Sequence, residues 1–157
     1  FRARRFTYTL AFFIQCVTIR GVLALAREKV SLMPKHSVLI VEDDPTLLEM
    51  YSARFTAEGF EVLTAGDGAA GVEVMRRAKP AVVLLDVIMP KLDGFGALAQ
   101  IKADKALAKT PVIMLTNLAQ TEDIKRGKEL GAADYFVKAN QTPNDIVEKV
   151  RKLIGSN

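Results

Sequence analysis

The chain has 157 residues, half of them apolar, which is the usual length of one domain and supplies enough apolar surface for a core of its own. A formal charge of +4 would point to nucleic acid or an anionic membrane, but seven basic residues against Glu28 alone fall within residues 1–35; residues 36–157 keep fifteen basic and seventeen acidic residues and offer no electrostatic footprint for direct nucleic-acid binding. One cysteine, Cys16, excludes an intramolecular disulfide and suits a reducing, cytoplasmic compartment, where it reads as an incidental apolar residue.

Residues 1–32 differ in kind from the rest. Phe6 to Ile19 is a run of fourteen mostly apolar residues behind Arg4 and Arg5, and it stops at Arg20-Gly21, short of the ~20 residues that cross a bilayer. It reads as a signal-peptide core with Ala24-Leu25-Ala26 as a cleavage pattern, as a membrane-surface anchor or packing helix, or as an extension outside the functional unit. The extension is preferred, because the chain begins with Phe1 while Met33-Pro34-Lys35 stands just before the first strand signal. The expected organisation is an extension over residues 1–34 and a domain over residues 35–157, with membrane contact only if residues 1–32 are a native anchor.

From Ser37 onward, short apolar runs alternate with helical patterns, the signature of βα units around a parallel sheet. The spacing predicts buried strands over Val38–Val41, Glu61–Ala65, Ala81–Leu85, Val112–Leu115 and Tyr135–Val137. Between them, apolar residues recur at three and four: Leu48, Tyr51 and Phe55; Val72 and Met75; Phe95, Leu98 and Ile101; Ile124 with Leu130; Ile146, Val147, Val150, Leu153 and Ile154. Gly59 and Gly131 sit where helix C-caps belong, and Thr142-Pro143 with Asp145 reads as a helix start. The last helix is expected to end within three residues of Asn157, with no output domain after it.

In an open parallel sheet, ligands bind beyond the carboxyl ends of the strands, so the polar residues that follow the apolar runs are the ones to collect. The first run ends in Glu42-Asp43-Asp44, the third in Asp86, the fourth in Thr116 and the fifth in Lys138. Each has a plain structural reading: Asp44-Pro45 as a turn former or N-cap, Thr116 as a helix cap, Lys138 as a solvated loop residue. Together they fall at one edge of the sheet. Carboxylates gathered there repel one another unless a cation compensates, and hard oxygen ligands suit Mg²⁺.

Val41-Glu42-Asp43-Asp44, Asp86-Val87-Ile88-Met89-Pro90-Lys91-Leu92-Asp93-Gly94, Leu115-Thr116 and Tyr135-Phe136-Val137-Lys138 resemble the motifs of the receiver domain of two-component response regulators, over roughly Lys35 to Ile154. The resemblance implies a doubly wound, flavodoxin-like (βα)5 α/β fold with strand order 2-1-3-4-5. It implies Asp86 as phosphoacceptor and Mg²⁺ held by Asp43, Asp44, Asp86 and the backbone carbonyl of Ile88. Thr116 would bond a phosphoryl oxygen, and Lys138 would pair with the phosphoryl charge. A sensor histidine kinase or histidine phosphotransfer protein would be the donor and an unidentified effector protein the target. Thr116 drawn inward, with the ring of Tyr135 turning into the vacated space, would be the switch.

Two features refine the expectation. Most of the family has proline after this lysine, often with a cis bond, where this chain has Lys138-Ala139; a cis non-proline bond costs ~2.5 to 4 kcal/mol, so the loop is either strained or rebuilt in trans. Ile88 and Leu118 occupy the positions two after the phosphoacceptor and two after the hydroxyl residue, and their apolar side chains imply slow self-dephosphorylation. His36, before the first strand, is read as a surface residue and not as a phosphodonor. The rival readings are a degenerate receiver that only binds protein, an Asp-nucleophile phosphatase, which expects a second Asp where Ile88 stands, and a flavin module, which expects a Ser-, Thr- or Gly-rich loop where Glu42-Asp43-Asp44 stands.

Overall fold

Five short apolar segments form the strands Ser37–Val41 (β1), Glu61–Ala65 (β2), Val82–Asp86 (β3), Val112–Thr116 (β4) and Asp134–Val137 (β5). They alternate with the helices Pro45–Ala57 (α1), Gly68–Ala78 (α2), Gly94–Ala103 (α3), Thr121–Glu129 (α4) and Pro143–Gly155 (α5). The computed structural model describes residues 36–117 and 120–155. The expectations for residues 1–34, Cys16 and Leu118 fall outside those residues. Among the described residues, no helix is long and apolar enough to cross a membrane.

All strand pairs are parallel and the order is β2-β1-β3-β4-β5, the expected doubly wound arrangement. Side chains alternate across the sheet, and the two faces receive different residues. Leu39, Val41, Val83, Leu85, Val112 and Met114 pack with Val72 and Met75 of α2 and with Phe95, Leu98 and Ile101 of α3. Val38, Ile40, Val82, Leu84, Ile113 and Leu115 pack with Tyr51 and Phe55 of α1 and with Ile146, Val147 and Val150 of α5. Because both faces are covered, β1, β3 and β4 read as unbroken apolar runs and not as alternating ones.

The punctuation of the helices is as their residues dictate. Gly59 and Gly131 have φ of 87° and 90°, which side-chain-bearing residues adopt at a cost. At Gly59 the helix end is closed by Gly59 N–H donating to Thr56 O and Phe60 N–H to Phe55 O, and at Gly131 by the matching bonds to Lys128 O and Gly127 O. The first closure also stacks Phe60 edge-on against Phe55, with ring centroids 5.2 Å apart. At the start of α5, Thr142 N–H donates to Asp145 Oδ2 at 2.7 Å while Asp145 N–H donates to Thr142 Oγ1, a reciprocal cap.

The departures concern boundaries and loops. β3 runs over Val82–Asp86 and not Ala81–Leu85, so Asp86 is itself a strand residue, opposite Leu115. β5 gains Asp134 and β4 gains Thr116. The segment 104–110, which shows no periodicity in the sequence, is a series of turns held by Lys102 Nζ, which donates to Ala108 O and Thr110 O at 3.0 Å each, with Leu107 buried beneath it.

Phe55 is fully buried and Met50, on the same helix, is 40% exposed. Phe55→Ala should therefore lower the unfolding free energy by about 3 to 5 kcal/mol in urea titrations, and Met50→Ala by no more than ~0.5 kcal/mol.

Candidate functional site

Parallel pairing carries the carboxyl ends of β1, β3, β4 and β5 to one edge of the sheet. Val41 lies opposite Leu85, Asp86 opposite Leu115 and Thr116 opposite Val137, so Glu42, Asp86, Thr116 and Lys138 emerge together. Glu42 is 1% exposed and Asp86 5%, and both sit deeper than the exposed Asp43. One carboxylate oxygen from each of Glu42, Asp43 and Asp86 lies within 4.8 Å of the others.

A single ammonium serves this group. Lys138 Nζ is 2.6 Å from Glu42 Oε2 and 3.0 Å from Asp86 Oδ2, with its side chain 6% exposed. Burial alone would push the Lys138 pKa down, but the two carboxylates outweigh it and hold the ammonium above its ordinary value. Glu42 is pushed up, first by burial and further by the charge of Asp86, with Lys138 opposing. The other oxygen of Asp86, Oδ1, accepts from Val87 N–H at 2.7 Å. Three carboxylates against one ammonium leave a deficit of positive charge, and their hard oxygens in one cluster fit a divalent cation such as Mg²⁺.

Asp44 does not belong to that cluster. Its Oδ1 accepts from Thr46 N–H at 2.8 Å and Leu47 N–H at 3.1 Å, which caps α1 and holds its pKa down. Of the expected Asp43–Asp44 pair, the structure gathers Asp43 with Glu42 and Asp86 and leaves Asp44 at the helix start. The carboxyl group that starts the helix is spent on the helix, while Glu42, directly after the strand, points into the site. The signal for this was Asp44-Pro45, an N-cap followed by proline at the first helical position.

Thr116 is fully buried at the end of β4. Tyr135 is turned inward: the residue is 9% exposed, and a Cβ on Gly127 of α4 would lie 3.0 Å from its Cδ2. Burial pushes the Tyr135 phenol up, with the neighbouring Thr116 side chain pulling the other way. Ile88 is 55% exposed at the rim. No described peptide bond is cis, so the Lys138-Ala139 link is trans, and Lys138–Asn140 forms one turn of 3-10 helix that still brings Nζ to both carboxylates.

The sequence model for the response regulator receiver domain matches residues 38–151. This chain belongs to the response-regulator receiver family. It is 33% identical over 122 residues to the "Probable transcriptional regulator ycf27" of Porphyridium aerugineum, an alignment covering 78% of this chain and 49% of that protein. It is 34% identical over 123 residues to the "DNA-binding response regulator MtrA" of Mycolicibacterium smegmatis, covering 78% of this chain and 52% of that one. The solved structure of the Vibrio cholerae chemotaxis protein CheY4 superposes with a TM-score of 0.71 at 29% identity, over 75% of this chain and 98% of that one.

The receiver thus spans about half the length of the curated relatives it matches. The expectation of no direct nucleic-acid partner is corrected by these relatives, which are named as transcriptional and DNA-binding regulators. The reason is physical. Net charge over residues 36–157 reports the receiver surface alone and carries no information on the half of those proteins that the receiver does not cover.

The charge deficit makes opposite predictions for two variants. Asp43→Asn removes the exposed carboxylate without unpairing Lys138, and should raise stability by ~1 kcal/mol in metal-free buffer, a few degrees in Tm. Lys138→Met strands two buried carboxylates and should cost about 3 to 5 kcal/mol at neutral pH. A raised folded-state pKa means that the contribution of Lys138 is full below the unfolded value of ~10.4 and is lost as pH rises through the folded one. The penalty of Lys138→Met should shrink on acidification, where Glu42, whose pKa is also raised, takes up its proton. Thermal melts from pH 4 to 11 check both limbs.

Proposed function

We propose that the chain is a phosphorylation-operated switch in which Asp86 accepts a phosphoryl group. The observation that carries this reading is the convergence of Glu42, Asp43 and Asp86 at the carboxyl edge of the sheet, with Lys138 paired to Glu42 and Asp86. An Asp86 oxygen attacks the phosphorus of a phosphohistidine on a kinase or phosphotransfer protein; the P–O bond forms as the P–N bond breaks, and the electron pair stays on the departing imidazole. Lys138 meets the developing phosphoryl charge, and Thr116 donates its hydroxyl to a phosphoryl oxygen. Glu42, Asp43, Asp86 and the Ile88 backbone carbonyl would hold Mg²⁺, which would neutralise the entering phosphoryl group.

Residues 35–157 are the working unit in this reading. The names of the relatives favour control of transcription as the downstream event. The half-exposed, apolar Ile88 at the rim cannot hydrogen-bond an attacking water, which favours a long-lived aspartyl phosphate. A receiver that only binds protein has no use for a complete acidic cluster with a buried lysine.

Incubation with acetyl phosphate and Mg²⁺ should add the mass of one phosphoryl group in an acid-stable, base-labile form. Asp86→Asn should abolish the gain, and EDTA or Asp43→Ala should reduce it at least tenfold. Full labelling of Asp86→Asn would sink the assignment.

A further inference from the structure

The loop that follows Asp86 is braced from behind by an ion pair that the phosphoryl chemistry does not use. Lys91 lies in the left-handed region at φ 64°, and Leu92 N–H donates across it to Pro90 O at 2.8 Å, a three-residue turn that is strained for any residue with a side chain. Such a conformation persists only where its surroundings over-determine it. Here Lys91 Nζ reaches 24 residues back in the chain to Asp67 Oδ2 at 2.5 Å. Asp67 is buried, and its other oxygen accepts from Ala70 N–H at 2.8 Å to cap α2, so both oxygens are committed. The next residue, Gly68, presses on the same loop: a Cβ there would collide with Leu92 O. At the base, Gly94 N–H donates to Val87 O at 2.9 Å. The segment 87–93 is thus clamped at its base and at its tip, with Ile88 between the clamps.

The Lys91 side chain is 73% exposed, and an ion pair with one solvated partner adds little to stability. Glycine at this position would adopt the same φ without strain. A lysine that accepts backbone strain for a weak ion pair is therefore fixing geometry.

We propose that Asp67 and Lys91 are positioning residues for the cation site: their ion pair fixes the 87–93 loop over the end of β3, so that the Ile88 carbonyl is held as a ligand beside Glu42, Asp43 and Asp86. This rests on the reading of that cluster as a Mg²⁺ site. Neither residue touches the cation or the phosphoryl group.

Calorimetric titration of the full chain with Mg²⁺, alongside thermal melts, tests it. Lys91→Gly removes the pair and the strain together, so Mg²⁺ should bind roughly three- to fivefold more weakly, the scale of one exposed ion pair, while Tm stays at or above the parent value. Lys91→Met and Asp67→Asn, which keeps the helix cap, should lose affinity equally; the double variant should lose no more than either, and Lys91→Arg should restore it. Parental affinity in Lys91→Gly and Lys91→Met, or a loss that tracks a falling Tm, would overturn the proposal. Asp43→Ala separates the two readings. If it abolishes Mg²⁺ binding while the Lys91 variants bind normally, the positioning role alone fails; if Asp43→Ala binds Mg²⁺ normally, the cluster is not a metal site and both readings fail.

Discussion

Two buried carboxylates pair with one buried ammonium while a third stands beside them at the rim, and the carboxyl edge of the sheet is organised around that imbalance. Burial disfavours every charge in the group, yet Lys138 is held protonated because Glu42 and Asp86 lie 2.6 and 3.0 Å from its Nζ. Glu42 bears the remaining frustration, with a pKa raised by burial and by Asp86. A site in this condition favours anything that brings positive charge. On the proposed reading that role falls to a divalent cation, and the phosphoryl group then enters a site already poised between attraction and repulsion. Natural proteins concentrate such unfavourable electrostatics at functional positions and offset it elsewhere in the fold.

The offset here is the sheet. Parallel strands need crossovers, the crossovers are helices, and helices on both faces seal β1, β3 and β4 in two apolar clusters. A strand that cannot shift register without exposing one of those clusters holds its last residue in place. Asp86 is the final residue of β3 and Thr116 of β4, so these two side chains inherit the rigidity of the core and not the mobility of loops.

This also explains what could be read in advance. The apolar runs were legible because both faces of the sheet are covered, and the helix ends because Gly59, Gly131 and Thr142-Pro143 have local chemical reasons to stand where they do. The acidic run was legible as a cluster but not residue by residue. Three consecutive carboxylates offer two adjacent pairs, and only the commitment of Asp44 to the amides of Thr46 and Leu47 leaves Glu42 and Asp43 to join Asp86. The Asp67–Lys91 pair was not legible, since its partners are 24 residues apart and each resembles an ordinary surface charge. The Lys138-Ala139 link was legible as a choice between two conformations, and the turn of 3-10 helix resolves it as trans.

The arrangement around Tyr135 constrains any switch the domain uses. Thr116 is fully buried, and the Tyr135 ring occupies a seat that exists because Gly127 has no Cβ to fill it. α4 is further tied to α3 by Arg126, whose guanidinium lies 4.4 Å from the centre of the Phe95 ring. Close-packed groups of this kind do not slide by fractions of an ångström independently; they exchange between discrete packings. On the proposed reading, a pull on Thr116 from the phosphoryl site would be felt by Tyr135, from Tyr135 by the α4 backbone at Gly127, and from α4 by α3. The inward ring is compatible with the protein as it stands, so on the proposed reading phosphorylation would not have to create that packing. It need only deepen a well that the glycine already provides, and a ligand that shifts an existing equilibrium requires no more than a differential affinity for the two states.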